Sequence, residues 1–300
     1  CSLIAGSDNM ETVWAASLVL GLCSVVPQIF VPMAGLFSMP QNKSRNMGIV
    51  LSGLLSGVLG ARVISGYVGE FTDWRTMFQS AAIIMLICLW WAYRTMPVMR
   101  PSFSGSYAQL MRSVFSIYTS HPAIRIYSLR GGLAFGSMMC IWSCMAFHLA
   151  QAPFHAGSEQ VGMLGLCGMA GAVAASGVGK YIPRLGIHRF CLIGTTLQFI
   201  AWTISIYFGY SYMGLIAAII LVDIGAQCHQ LSNQSGCLQL VPKATNRANT
   251  IFMTHLFIGG SLGTLCAGIA WNHAGWTGVC LTGFIFAAAS LMVTLWKSEF

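Results

Sequence analysis

Nine long apolar stretches dominate the 300-residue sequence, and each is close to the roughly 20 residues that a helix needs to cross the hydrocarbon core of a membrane. Their approximate bounds are 14–36, 46–68, 76–94, 124–149, 159–180, 187–208, 211–236, 250–271 and 276–296. Runs such as Ala81 to Ala92 do not alternate between apolar and polar residues, which excludes a membrane barrel. The sequence therefore predicts an all-α membrane protein with about nine transmembrane helices.

Composition supports this class and excludes several others. Only 7% of the residues are charged and 56% are hydrophobic, whereas soluble domains carry about 25% charged residues. The 11 cysteines lie mostly inside the apolar runs, so we interpret them as small apolar fillers rather than as a disulfide framework. The sequence has no set of metal ligands, no Ser/His/Asp arrangement and no phosphate-binding loop, so we expect no metal, no cofactor and no enzymatic activity.

The charged residues divide by side of the membrane. If the nine stretches are helices, 12 of the 15 basic residues fall on one side, and five of the seven acidic residues fall on the other. Cytoplasmic loops collect Lys and Arg, so the basic side is cytoplasmic and so is the C-terminus. The net charge of +8 is therefore interpreted as a topology signal, and we expect no nucleic-acid partner.

An internal repeat relates two parts of the chain. At an offset of 202, residues 40–78 align with residues 242–280 without a gap and share seven identities, more than this composition gives by chance. The identical pairs are Pro40/Pro242, Arg45/Arg247, Ile49/Ile251, Leu54/Leu256, Gly57/Gly259, Gly66/Gly268 and Trp74/Trp276. Parallel repeats of this kind recur in secondary transporters. The offset predicts that the first repeat begins about 78 residues before Cys1, which is room for three further helices.

Three stretches carry a resemblance to a known family. The first is 42–78, with Lys43, Arg45, a glycine-rich helix and Asp73-Trp74-Arg75; the second is the loop from Gly179 to Arg189; the third runs from Asp223 to Gly236 and on through Arg247 to Gly263. They resemble the fifth helix, the loop after the eighth helix, and the tenth and eleventh helices of the major facilitator superfamily, in its bacterial efflux and drug:proton antiporter branch. The loop signature residues are Gly179, Arg184, Gly186 and Arg189.

The resemblance implies a fold of twelve helices in two bundles, of which roughly the first three are missing. Residues 1–94 would be the remnant of the N-terminal bundle, 95–123 a cytoplasmic linker, and 124–300 the C-terminal six-helix bundle. The implied function is proton-coupled efflux of a small organic solute across the bacterial inner membrane by rocker-switch alternating access, in a monomer.

The sequence departs from the family pattern at two positions, which leaves alternatives open. Arg62 stands where the antiporter signature has a proline, and Pro183 stands where the loop signature has an acid. The alternatives are a truncated, transport-inactive remnant, a solute uptake symporter and a membrane protein that does not transport.

Three charges within the predicted spans are candidates for chemistry: Arg62, Arg130 and Asp223. A charge at the bilayer centre costs about 2.5 to 3.5 kcal/mol on insertion scales, so such residues usually face a cavity or a partner. Asp223 is the candidate proton site, because burial disfavours the charged carboxylate and allows a proton to load and unload. Its alternative role is a structural hydrogen bond or ion pair.

Polar stripes on the predicted helices supply the candidate cavity residues. Gln227, Gln230 and Gln234 follow Asp223 at i+4, i+7 and i+11, which places all four on one helix face. Weaker stripes contain Gln28 on one helix and Arg130, Ser137 and His148 on another, with hydrogen bonding between helices as the alternative role for each. The candidate helix-packing glycines are Gly57, Gly60, Gly66, Gly165, Gly168, Gly259 and Gly263.

Overall fold

A computed structural model describes residues 1–24, 43–96, 105–179 and 182–296 together with four single positions at 30, 33, 37 and 39. All regular elements within these ranges are helical. The α-helices are α1 (Ser2–Ala5), α2 (Met10–Cys23), α3 (Lys43–Phe71), α4 (Trp74–Thr95), α5 (Tyr107–Ser120), α6 (Pro122–Ala150), α7 (Ser158–Gly179), α8 (Ile182–Leu185), α9 (Ile187–Phe208), α10 (Tyr212–Leu240) and α11 (Thr245–Trp296), with a 3-10 turn at Pro242–Ala244. The predicted all-α class is confirmed for this part of the chain.

Five helices among the described residues are long and apolar enough to cross a membrane: α4, α6, α9, α10 and α11. The 52 residues of α11 include a break at Gly275, whose φ of 55° and ψ of −142° are not helical, so this element has two arms as the sequence predicts. The predicted span at 46–68 and residues 159–179 of the span at 159–180 are also helical, in α3 and α7, but these two helices are not among the five. The predicted span at 14–36 is described continuously only to residue 24, so the count of nine stays a prediction.

The two repeat segments have the same layout of helix, break and helix. Helix α3 is described from Lys43 to Phe71, and the first arm of α11 covers the positions 202 residues later, from Thr245. The break before Trp74 corresponds in the same way to the break at Gly275. The break in each segment therefore agrees with the predicted offset, and the repeat itself stays a prediction.

The two breaks use different chemistry. Asp73 is the N-cap of α4, with its carboxylate accepting a hydrogen bond of 2.7 Å from the backbone N–H of Thr76. That bond stabilises the charged form and holds the pKa of Asp73 below its usual range. At the equivalent position Gly275 turns the chain through a positive φ that a glycine adopts without steric cost.

Residues 1–101 and 157–166 form one compact unit. Within it Arg75 holds the N-terminal segment, because its guanidinium donates to the carbonyls of Ala5 and Ser7 and lies 2.6 Å from the Asp8 carboxylate. Helix α3 contacts the start of α7 through Gly66, where an added Cβ would lie 2.8 Å from the carbonyl oxygen of Ser158. Glycine is therefore required at this crossing.

Residues 102–156 and 167–300 form the second unit. Its main contact is between α6 and the first arm of α11. There Gly132 faces Gly259, and Gly136 faces Gly263. A Cβ on either α11 glycine would overlap backbone atoms of α6. Next to this contact, towards the start of both helices, lies an apolar cluster of buried residues: Ala123, Ile124, Tyr127, Cys237, Ala248, Ile251, Phe252 and Leu256. The glycine pairs therefore set the distance between the two helices.

Helix α5 lies inside the segment that the sequence analysis treats only as a linker. It begins with a capping box, in which the Ser106 side chain accepts from the backbone of Gln109 and the Gln109 side chain accepts from the backbone of Ser106. Its residues Val114, Ile117 and Tyr118 pack on the apolar cluster. The Ser-x-x-Gln spacing at its start is the sequence signal for this helix, which the prediction of a linker did not include.

The glycine contact predicts different effects for two substitutions in α11. Gly259→Ala places a methyl group against the backbone of Gly132 and should destabilise the protein by about 1 to 3 kcal/mol, as overpacking does. Gly268→Ala is the matched control, since an added Cβ there meets nothing within 4 Å. Thermal unfolding of the purified protein in detergent should show a lower Tm for the first variant only; equal Tm values would contradict the contact.

Candidate functional site

Asp223 lies within α10 and is only 5% exposed. Its Oδ1 accepts a hydrogen bond of 3.0 Å from the indole Nε1 of Trp142 on α6. Its Oδ2 lies against the backbone of Gly168 on α7, where an added Cβ would overlap this oxygen. Residues 142, 168 and 223 of the second unit therefore lie together, and a buried carboxyl needs a polar contact such as the Trp142 hydrogen bond to offset its lost hydration.

The glutamine stripe extends from Asp223 along the less buried face of α10. Gln227, Gln230 and Gln234 are all half-buried, and the side-chain nitrogen of Gln234 donates to Asn249 Oδ1 at 2.8 Å. A cavity of about 550 Å³ lies at the end of the stripe, lined by Leu231, Gln234, Ser235, Leu238, Gln239, Pro242 and Thr245. The predicted alignment of the stripe on one face is present, and its last member lines a cavity.

Arg130 is 2% exposed and lies inside the second unit. Its Nε and Nη2 donate to Asn233 Oδ1 at 2.8 and 2.5 Å, and its guanidinium carbon lies 5.4 Å from the centre of the Tyr127 ring. Asn233 in turn donates to the carbonyl of His229 at 2.7 Å. Hydrogen bonds to a charged group contribute about 1.5 to 3 kcal/mol each, so this arrangement stabilises the contact between α6 and α10.

Ser137 and His148 also take part in contacts between helices. Ser137 donates to the carbonyl of Gly283 at 2.8 Å and accepts from the indole of Trp202 at the same distance. His148 stacks on Trp276 at 3.9 Å, and its Nε2 lies 2.7 Å from the carbonyl oxygen of Gly209. A carbonyl only accepts, so this nitrogen carries the hydrogen. Neither side chain has a hydrogen bond to the glutamine stripe among the described contacts.

The remaining candidates lie elsewhere. Arg62 belongs to the first unit, where its aliphatic carbons lie against Gly165, and Gln28 lies outside the described residues. An added Cβ at Gly57 or Gly60 would meet no described atom within 4 Å, so the structure brings no neighbour to these two predicted packing positions. Glycines of the same helix α3 thus make a close contact at Gly66 but not at Gly57 among the described residues.

The loop signature connects α7 to α9. Gly179 is the last residue of α7, Arg184 is exposed on the short helix α8, and Arg189 is exposed in the first turn of α9. Gly186 has a φ of 79° between α8 and α9, in the region where only glycine is free of strain. The backbone conformation at position 186 therefore explains why the loop signature has a glycine there.

Sequence reasoning missed Trp142 and assigned Gly168 a packing role only. The indole and the carboxyl it contacts are 81 residues apart, so no local pattern connects them. A tryptophan inside an apolar span indicates burial, and its N–H requires an acceptor. That requirement was the one available signal, and it does not identify the acceptor.

Comparison with known proteins places the chain in a family. Residues 1–264 match the family model described as Major Facilitator Superfamily. The chain is 35% identical over 292 residues to YgaY, an uncharacterized transporter of Escherichia coli O157:H7, covering 97% of this chain and 74% of that protein. It is 26% identical over 265 residues to SCO4007, a probable transporter of Streptomyces coelicolor, covering 87% and 61% respectively. A probable sugar efflux transporter of Helicobacter acinonychis is 21% identical over 254 residues, covering 85% and 63%.

Transporter relatives, long apolar helices and the family match support one conclusion about what the molecule is. The chain belongs to the major facilitator superfamily and is a multi-pass membrane protein of a family that transports solutes.

Proposed function

We propose that this protein is a proton-coupled secondary transporter that exports a small organic solute across the bacterial inner membrane. The observation that carries the proposal is the Asp223 carboxyl, 5% exposed within an apolar helix and continued by the glutamine stripe. Ionisable residues inside membrane helices are costly, and they commonly mark ion or substrate pathways.

The surroundings of Asp223 suit a group that changes its protonation state. Burial disfavours the carboxylate, whereas the indole N–H of Trp142 favours it, because a charged acceptor makes the stronger hydrogen bond. These two influences oppose each other. In the proposed cycle this carboxyl is the group that binds and releases the proton.

The glutamine stripe is the proposed solute-binding surface. Each amide offers both donors and acceptors, so Gln227, Gln230 and Gln234 suit a solute with hydroxyl, amide or similar uncharged polar groups. One relative is named a probable sugar efflux transporter, which supports export as the direction. The alternative of uptake by symport uses the same site with the opposite direction of net flux.

The remaining parts of the proposal concern topology and mechanism. The side with 12 of the 15 basic residues is cytoplasmic, the C-terminus lies on that side, and the molecule works as a monomer. Two helical bundles, the second formed by residues 124–300, rock about a site near the middle of the membrane and expose it to each side in turn. The segment 95–123 joins the bundles on the cytoplasmic side.

Substitution of the carboxyl tests the proposal. Everted membrane vesicles that contain the protein are given an internally acid pH gradient, and lactose or ethidium is added as the probe. With the wild-type protein, an exported solute should enter the vesicles in exchange for protons and so dissipate the gradient. Asp223→Asn should slow this proton flux by about 100-fold or more, the size expected when a proton-transfer group is lost. Acridine orange fluorescence reports the gradient.

The matched control is Glu11→Gln, which removes an exposed carboxyl at the start of α2 and should leave the flux unchanged. Equal rates for Asp223→Asn and wild type would remove Asp223 from the mechanism. No solute-dependent flux in folded wild-type protein, with either probe or with a wider set of sugars and organic cations, would favour a transport-inactive remnant.

Cysteine accessibility tests the solute-binding surface separately. Gln230→Cys should react with a water-soluble methanethiosulfonate reagent, because the half-buried face of α10 is expected to meet water during the cycle. The native Cys228, two residues before Gln230 and therefore on the opposite side of the helix, is 1% exposed and is an internal control that should not react. Mass spectrometry locates the modification, and equal labelling of positions 228 and 230 would contradict a water-facing stripe.

A further inference from the structure

The contact between Trp142 and Asp223 supports an inference about how the carboxyl is held. We propose that Trp142 is a positioning residue that fixes one orientation of the Asp223 carboxyl, and that Gly168 supplies the space that this orientation requires. The inference rests on the proposed function, since it assumes that Asp223 carries the proton.

The first step is the chemistry of the indole. Its Nε1 is a donor only, so it cannot accept a hydrogen bond from a protonated carboxyl. At 3.0 Å from Nε1, Oδ1 of Asp223 therefore acts as the acceptor whether the group is charged or neutral. The carbonyl oxygen of a neutral acid is the better acceptor of its two oxygens, so the bound proton is placed on Oδ2.

The second step is the position of Oδ2. An added Cβ at Gly168 would overlap Oδ2 and would also lie 2.7 Å from Cζ2 of the Trp142 indole. Position 168 therefore borders both the proton-carrying oxygen and the ring that fixes it. Any side chain there displaces one or the other, so glycine is required by the site as well as by the packing of α7.

The third step concerns rigidity. The Trp142 ring has two rotatable bonds and is half-buried on α6, whose glycine pairs fix its distance from α11. A donor on a constrained aromatic ring restricts its acceptor to a smaller range of orientations than a donor on a long flexible side chain does. Transfer rates depend steeply on such alignment, and a misplacement of about 1 Å can cost about 100-fold.

The test compares Trp142→Phe with Trp202→Phe in the purified protein reconstituted in liposomes. Phenylalanine keeps an aromatic ring and removes the donor at Trp142; the control removes an indole donor that serves Ser137 in the same unit. Proton flux driven by the solute that the wild-type vesicles transport should fall about 10- to 100-fold with Trp142→Phe, with the solute KM little changed. The control should keep its flux.

An infrared difference spectrum gives a readout that a merely structural role would not move. The carbonyl band of the protonated Asp223 is identified as the band that Asp223→Asn removes. Loss of the hydrogen bond to that carbonyl should shift the band to higher frequency in Trp142→Phe and leave it in place in Trp202→Phe. An unshifted band in folded Trp142→Phe protein would overturn the inference.

Gly168→Ala is the second variant, and it keeps the indole should Trp142→Phe fail to fold. It should also slow proton flux and shift the carbonyl band, whereas Gly268→Ala, where an added Cβ meets nothing within 4 Å, should do neither. Unchanged flux and band in Gly168→Ala would overturn the role of this glycine. Unchanged proton flux in Asp223→Asn would overturn the proposed function itself. If Asp223→Asn loses proton flux but Trp142→Phe and Gly168→Ala both keep it, only this inference is overturned.

Discussion

The close contact between α6 and the first arm of α11 determines much of the second unit. Lipid gives no hydrophobic reason for helices to associate, so tight packing and interhelical hydrogen bonds have to do so. Gly132 and Gly136 allow the two backbones to touch, and Cys140, one turn further along α6, donates to the carbonyl of Gly263 at 3.4 Å. The next residues of α6 include Trp142, whose indole contacts Asp223. The glycine contact thus lies directly before the residue that holds the candidate proton site.

Buried polar side chains in this unit differ in what lies beside them. Arg130, Ser137 and His148 are each hydrogen-bonded to another helix or loop of the unit, to Asn233, Gly283 and Gly209 respectively, which stabilises one packing arrangement. Asp223 is likewise hydrogen-bonded to another helix, by Trp142, but the glutamines that follow it on α10 are only half-buried, and the last of them lines a cavity. Charge alone did not separate Asp223 from these residues in the sequence, whereas the burial of neighbouring residues does.

The sequence predicted the helices better than the contacts between them. The predicted span 187–208 has the bounds of α9, and the predicted break before 276 is at Gly275, because apolar length and glycine act locally. Helix α5 was not predicted because it is short and packs only one face on the cluster, so it contains no long apolar stretch. Contacts such as Trp142 with Asp223, or Gly132 with Gly259, depend on residues far apart in the chain, and spacing along one helix does not specify a partner on another.

Chemical modification of the buried carboxyl tests the central claim most directly. Dicyclohexylcarbodiimide reacts with protonated carboxyl groups in apolar surroundings, and mass spectrometry of the modified protein identifies the residue. The account predicts modification at Asp223 that decreases as the pH rises and decreases when a transported solute is present. Absence of modification at Asp223 across the pH range in which the protein remains folded, or modification that is independent of pH, would contradict a proton-binding role for this residue.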